Sequence, residues 1–202
     1  MPSANLNHAS VETRTLPTLG ALNQTLTGKV VLAACASVFV AICAHITVPL
    51  PFTPVPLTFS DFAVLIVGLA LGPVTGFMAL AMYLFEGAAG LPVFNPHGLG
   101  GIAQLFGATG GYLIAYPFAA AIAGAVSQTL ARVAPRFIAG LSASVLASAA
   151  LMVTGTIWVG FVAHLSAMTA FNLGAAPFVP GQIVKVFAAA GIFATLQRWN
   201  RA

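Results

Sequence analysis

Residues 61–90 read DFAVLIVGLALGPVTGFMALAMYLFEGAAG, and this stretch decides how many times the chain is expected to cross a membrane. A bilayer core about 30 Å thick needs about 20 helical residues, so the stretch is too long for one comfortable span. Leu71-Gly72-Pro73 interrupts it, and proline both removes a backbone donor and disfavours helix in the residue before it. We therefore predict a short helix at about 57–71 and a second helix at about 73–90.

The composition of the whole chain is that of a membrane protein. Of its 202 residues, 59% are hydrophobic and 5% are charged, and the mean hydropathy is +1.00. A soluble domain devotes roughly a quarter of its residues to Asp, Glu, Lys and Arg, so the charges here are too few to coat a water-facing surface. The seven Lys and Arg residues are also too few and too scattered to follow a nucleic-acid backbone.

Four more apolar stretches complete an all-α membrane protein of six transmembrane helices. They are expected at about 28–48, 108–131, 137–165 and 180–198. The membrane domain then covers 28–198, between a polar N-terminal tail at 1–27 and a short C-terminal tail at 199–202. The N-terminal tail is not expected to be a secretory signal, because it is polar and a stretch of full membrane length follows it.

The positions of the basic residues support this count. Arg14 and Lys29 precede or open the first span, Arg132 and Arg136 bracket the turn between the fourth and fifth spans, and the remaining arginines follow the sixth. With six spans all three groups lie on one side, which the positive-inside rule assigns to the cytoplasm. Both termini are therefore expected to be cytoplasmic.

The loops on the opposite, outer side are long and unusual. The first, 49–56, has four prolines and is expected to be extended and stiff. The second, 91–107, is rich in glycine, and the third, 166–180, ends in Pro177-Phe178-Val179-Pro180. We predict that these loops form a pocket or lid; the alternative is that they are only connectors.

Three ionisable residues stand out in or beside the spans, where a charge at the membrane centre costs about 2.5–3.5 kcal/mol. Asp61 opens the second span and is expected to stabilise that helix N-terminus. Glu86 and Lys185 each lie about one turn from the outer end of a span, so we expect them at similar depth. They form a structural ion pair, or Lys185 binds an anionic group of a ligand beside the helix N-terminus at Gly181.

Sequence motifs of enzymes are missing. The sequence has no GxSxG, HExxH or Walker loop and no paired catalytic carboxylates, so no catalytic residue is assigned and an enzyme is not expected. His45, His97 and His164 sit on separate elements without the spacing of metal ligands, so neither a metal nor a cofactor is expected. Without a nucleotide site the chain cannot drive ATP-powered transport by itself.

Several segments, taken together and in order, resemble the BioY family, the biotin-specific S components of energy-coupling factor (ECF) transporters. They are spread over most of the membrane domain and are jointly specific. The matching segments are PLP at 49–51, PVPLT at 54–58, LGPVTG at 71–76, YLFEGAAGLPVF at 83–94, GATGGY at 107–112 and PFVPGQIVK at 177–185.

The resemblance implies a six-helix protein of the bacterial cytoplasmic membrane that captures biotin from the outer face. It also implies partners, namely a transmembrane T component and ATPase subunits that bring ATP to the assembly. The resemblance further implies that Lys185 lies at the biotin site. The family usually has Asp where this chain has Gln182, whose amide oxygen can still accept a hydrogen bond from a ureido N–H, although without charge assistance.

The chemistry of biotin assigns expected roles to further residues. Its valerate needs a cation, which is Lys185. Its ureido ring needs amide or carboxylate partners, for which the candidates are Gln182, Asn95, Glu86 and Gln104. Its apolar ring and chain suit aromatic walls, for which the candidates are Tyr83, Phe94 and Tyr112.

A strip of small residues on the first span, Ala33, Ser37 and Ala41, allows another helix to approach closely. The resemblance implies that this helix carries the coupling surface for the T component; the alternative is packing inside the chain. Two other functions also stay open: an S component for another carboxylated vitamin, and a membrane assembly protein that transports nothing.

Overall fold

The computed structural model describes residue 22 and residues 24–199. Its helices are α1 (Leu26–His45), α2 (Ser60–Ala88), α3 (Gly101–Phe106), α4 (Gly110–Leu130), α5 (Arg136–Val162), α6 (Ala167–Gly174) and α7 (Val179–Trp199). Two short strands, β1 (Thr47–Val48) and β2 (Leu57–Thr58), pair antiparallel, and a 3-10 turn at Ala176–Phe178 joins α6 to α7. Most of both predicted tails, with Arg14 and Arg201, lies outside the described residues.

Five helices in this part of the chain are long and apolar enough to cross a membrane. They are α1, α2, α4, α5 and the segment Ala167–Arg198, which runs through α6 and α7. Their outward faces are apolar, since Val38, Phe85 and Phe161 are 59%, 75% and 74% exposed. Large apolar surfaces of this kind are stable against lipid. The chain is therefore a multi-pass membrane protein, as its composition predicts.

The helix α2 is broken at Gly72, which has φ +81° and ψ −179°. A Cβ built on Gly76 would lie only 3.3 Å from the Cα of Gly68, whereas residues eight apart in a straight helix are about 12 Å apart along its axis. The chain therefore folds back on itself, and α2 is a helical hairpin with arms at 60–71 and 73–88. The predicted break is confirmed, and counting the two arms separately brings the five membrane-crossing helices of the described residues to six.

Small residues allow α4 to pack tightly against this hairpin. A Cβ built on Gly124 would lie 2.5 Å from the carbonyl carbon of Gly72, and one built on Gly68 would lie 2.9 Å from the Cα of Ala120. Neither position has room for a side chain. Close backbone approach through glycine and alanine is how membrane helices gain packing energy where lipid removes the hydrophobic driving force.

The helices α5 and α7 run antiparallel. Near one end Arg136 donates a hydrogen bond to the carbonyl of Gln197 at 2.6 Å. A little further along, a Cβ built on Gly140 would lie 3.3 Å from the Cα of Ala190. Eight residues advance a helix by about 12 Å. Ser148 lies eight residues after Gly140, and Gln182 lies eight residues before Ala190. Because the two helices are antiparallel, Ser148 and Gln182 therefore lie at the same height along the α5–α7 interface.

The small-residue strip of α1 faces inward. Ala33 is 2% exposed, Ser37 is fully buried and Ala41 is half-buried. Ser37 donates a hydrogen bond to the carboxylate of Glu86 in the second arm of α2. The chain's own helices cover this strip, which favours the alternative of packing inside the chain; its role as a surface for the T component stays a prediction.

The three long loops meet at one end of the bundle. The proline-rich first loop is not fully extended, because its ends form the β1–β2 pair. The second loop contains α3 and the third contains α6. The helix α5 ends at Val162, slightly before the predicted end near 165. Thr53 of the first loop donates to the carbonyl of Leu173 in α6 at 2.7 Å, and Trp158 donates to the carbonyl of Gly107 at 2.9 Å.

Candidate ligand pocket

A cavity lies beneath the three loops, where the ends of the long helices converge. Its empty volume is about 620 Å³ when the space in the open mouth is included. Five predicted site residues line it: Tyr83, Asn95, Gln104, Tyr112 and Lys185. The sequence interpretation missed other lining residues, among them Thr58, Asp61, Tyr116, Leu151, Met152 and Phe178.

Lys185 is the cation of the cavity, and its ammonium group is already paired. Its Nζ donates to both carboxylate oxygens of Asp61, at 2.8 and 3.0 Å, and to the carbonyl of Thr58 at 2.6 Å. It also lies 5.6 Å from the centre of the Phe59 ring. Asp61 does begin a helix as predicted, but its carboxylate is the counter-ion of Lys185.

A chain of hydroxyl groups continues from this ion pair into the cavity wall. Thr58 Oγ1 and Ser60 Oγ are 2.7 Å apart, and Ser60 Oγ and the Tyr116 hydroxyl are 2.6 Å apart. Tyr116 stacks on Tyr83 with 6.3 Å between ring centres. One signal could have identified Tyr116, because it lies one helical turn after Tyr112 and therefore shares its face of α4.

Tyr83 forms the buried aromatic wall of the cavity. It is fully buried, and its hydroxyl donates to the carbonyl of Val93 at 3.0 Å. The ring of Phe94 meets it edge to face, with 5.4 Å between ring centres. A Cβ built on Gly87 would overlap the Phe94 ring. Phe94 is not one of the residues that line the cavity. It packs between Tyr83 and Gly87 and so supports the Tyr83 ring.

Tyr112 connects the cavity to the third loop. Its hydroxyl donates to the carbonyl of Gly174 at the end of α6. Thr53 holds the neighbouring carbonyl, that of Leu173. Two hydroxyl groups of different elements thus fasten the segment that carries Phe178 over the cavity.

The amide residues of the second loop shape the loop that carries them. Asn95 Oδ1 accepts a hydrogen bond from the backbone N–H of His97 at 3.0 Å, and Gln104 Oε1 accepts from that of Gly100 at 3.1 Å. Both side chains are buried and line the cavity. Each therefore holds its own loop in place while presenting part of its amide to the cavity.

Glu86 and Gln182, two further predicted ligand contacts, lie outside the cavity lining. The carboxylate of Glu86 points to α1, where Ser37 is its partner, and not to Lys185. Gln182 is 7% exposed, and among the described residues neither its Oε1 nor its Nε2 has a partner. The hydroxyl of Ser148, at the same level of the α5–α7 interface, is also buried without a partner in the described part of the chain.

These two unpartnered side chains lie one helical turn from the cavity. Gln182 precedes Lys185 by three residues on α7, and Ser148 precedes Leu151 by three residues on α5. A buried polar group without a hydrogen bond costs about 1–3 kcal/mol. Unused donors and acceptors therefore lie close to the cavity, although outside its lining.

Comparison with known proteins agrees with this architecture. The chain matches the family described as "BioY family" over residues 12–202. It is 39% identical over 144 residues to the "Probable biotin transporter BioY" of Pyrococcus horikoshii, which covers 71% of this chain and 82% of that protein. It is 31% identical over 170 residues to the "Biotin transporter BioY" of Thermotoga maritima, which covers 84% and 96%.

A solved structure shares the fold. It is the crystal structure of "the S-component for biotin from an ECF-type ABC transporter", with a TM-score of 0.76, 24% sequence identity and coverage of 84% of this chain and 90% of that one. The bundle with its broken second helix and loop-covered end is therefore the fold of such a component. The family match spans nearly the whole chain, and the relative from Pyrococcus horikoshii is 39% identical over 71% of it. We therefore conclude that the chain belongs to the BioY family.

Proposed function

We propose that the protein captures biotin in the loop-covered cavity and is the substrate-binding S component of an ECF transporter. The observation that carries the proposal is the cavity itself, which places the buried cation Lys185 among aromatic walls and amide side chains. A biotin carboxylate suits Lys185, and its apolar ring and chain suit Tyr83 and Tyr112. The relatives named biotin transporters support the choice of ligand.

The buried amide of Gln182 is the proposed partner of the ureido group. A primary amide offers both a donor and an acceptor, and both atoms lack partners in the described part of the chain. Asn95 and Gln104 add further amide groups in the cavity lining. Glu86 is left out of the proposed contacts, because Ser37 of α1 holds its carboxylate.

We propose that the loops face outward and that both termini are cytoplasmic, as the basic residues favour. The partners would be a transmembrane T component and ATPase subunits. The sequence contains no phosphate-binding GxxxxGK[ST] loop, which agrees with ATP being supplied by a partner subunit. Because the small-residue strip of α1 is covered, the proposed partner surface lies on another face of the bundle.

The experiment is a thermal-shift measurement on the detergent-purified chain with a panel of vitamins. A ligand at 100 times its Kd stabilises the folded state by about 2.7 kcal/mol, so biotin is expected to raise the melting temperature at low concentration. Lys185→Ala should weaken biotin by about 2–5 kcal/mol, as for truncating one partner of a buried charge pair. A shift with a different carboxylated vitamin and none with biotin would reassign the ligand.

A further inference from the structure

The carboxylate of Asp61 is the counter-ion of Lys185. Its two oxygens lie 2.8 and 3.0 Å from Nζ, and the carbonyl oxygen of Thr58 lies 2.6 Å from it. An ammonium group carries three diverging N–H bonds, and the two oxygens of one carboxylate lie too close together for each to take a separate N–H bond in line. A ligand carboxylate that reaches this nitrogen therefore shares the cation with Asp61.

The charge balance of the cavity shows why a ligand carboxylate competes with Asp61. Lys185 and Asp61 form a neutral pair, and their side chains are only 9% and 15% exposed. Among the described residues that line the cavity, Asp61 is the only acidic one. A bound carboxylate adds a second negative charge beside one cation, and two carboxylates that share one buried cation repel each other. The carbonyl of Thr58 carries no net charge, so it adds no repulsion of this kind.

We propose that Asp61 is a specificity-determining residue that sets the charge selectivity of the cavity. It competes with the ligand's carboxylate for Lys185. The binding free energy that a carboxylate gains at Lys185 is therefore reduced by the weakening of the Asp61–Lys185 contact. This lowers the preference of the cavity for an acid over its neutral amide. The inference rests on the proposed function, because it uses biotin and its amide as the two ligands.

A supporting role would behave in the opposite way. If Asp61 only held Lys185 in the orientation that the ligand needs, its loss would weaken the acid more than the amide. If Asp61 only stabilised the fold, its loss would affect the two ligands alike. The ratio of the two affinities therefore separates competition from both alternatives.

The experiment measures Kd for biotin and for biotin amide by titration calorimetry on the detergent-purified full chain. Asp61→Asn keeps the size of the side chain and removes its charge. We expect the amide-to-acid ratio of Kd to rise at least tenfold in this variant and in a second neutral variant, Asp61→Ser. An unchanged or lower ratio would overturn the proposal, and so would a failure of both variants to fold and bind the amide.

Two controls locate the effect. Glu86→Gln removes the same charge outside the cavity and should leave the ratio within threefold of wild type; a rise equal to that of Asp61→Asn would show a long-range charge effect and overturn direct competition. In a Lys185→Met background, Asp61→Asn should no longer raise the ratio tenfold, and a full rise there would mean that Asp61 does not act through Lys185.

Failure of this inference is distinguishable from failure of the proposed function. If the wild-type chain binds neither biotin nor its amide, the proposed function is wrong, and this inference with it. If the wild type binds both and neutral substitution of Asp61 leaves the ratio unchanged, the function stands and competition at Lys185 is wrong.

Discussion

The ring of Tyr112 lies directly on the backbone of Gly155, so closely that a Cβ built on Gly155 would overlap the ring carbons. Tyr112 lines the cavity, and its hydroxyl holds the end of α6. A glycine on α5 is therefore what allows an aromatic side chain of α4 to form a cavity wall.

The first prediction concerns this contact. Gly155→Ala must push the Tyr112 ring away, and overpacking of this kind costs about 1–3 kcal/mol. We expect a lower melting temperature and weaker biotin binding, both measured by thermal shift. Gly191→Ala is the matched control, because a Cβ there meets no atom within 4 Å. Equal effects of the two substitutions would mean that the Tyr112 contact does not matter.

The buried strip of α1 leads to the second prediction. Ala33→Trp places a large ring where the native side chain is 2% exposed. We expect it to lower the yield and melting temperature of the folded protein and biotin binding with them. Val38→Trp, on the 59% exposed face of the same helix, should leave all three nearly unchanged. A folded Ala33→Trp protein that binds biotin normally and loses only its partner subunits would restore the coupling role of this strip.

The third prediction concerns the unpartnered amide. Gln182→Asp should keep or strengthen biotin binding, because a carboxylate accepts ureido N–H bonds more strongly than an amide does. Gln182→Leu removes donor and acceptor and should weaken binding; the titration compares both variants with wild type. Complete loss of binding in a folded Gln182→Asp protein would show that the carboxylate is left unpaired, and hence that Gln182 does not face the ureido group.

The fourth prediction concerns orientation. In a variant with Cys35 and Cys43 replaced by Ala, a single Val133→Cys lies at an 83% exposed position between α4 and α5. If this turn is cytoplasmic, impermeant thiol reagents will not label it in intact cells but will label it after lysis. Leu99→Cys, 75% exposed in the second loop, is the control that should react from outside. The reverse pattern would invert the proposed topology.

Features that depend on local backbone chemistry were predictable from the sequence. The Gly72-Pro73 pair interrupts the helix through its own backbone chemistry, which does not depend on the neighbouring helices. The break in α2 could therefore be predicted without tertiary information. The long apolar stretches likewise predicted the ends of the long helices to within a few residues, whereas the short helices α3 and α6 in the loops were not predicted. Lys185 could be assigned to a cavity because few other places in a membrane protein tolerate a charge.

Features that depend on which helices become neighbours were not predictable in this way. Asp61 is 124 residues from Lys185 in the chain, and nothing in either local sequence selects Asp61 over Glu86 as the partner. The spacing of Ala33 and Ser37 shows that some helix approaches α1 closely, but not whether that helix belongs to the same chain. Gln182 was expected to contact the ligand, and its position outside the cavity lining depends on the rotation of α7.

The hydrogen bonds from Thr53 and Tyr112 to the end of α6 bear on the speed of ligand exchange. Opening the third loop breaks both bonds, and each contributes about 0.5–1.5 kcal/mol. Because every 1.4 kcal/mol corresponds to a factor of ten, these two bonds together make the open state roughly 5- to 150-fold rarer. If the ligand of the proposed function leaves through this loop, its residence time depends on these two hydroxyl groups as well as on the strength of its own contacts. A transport partner that pulls α6 away from these anchors would release the ligand without altering a single residue that touches it.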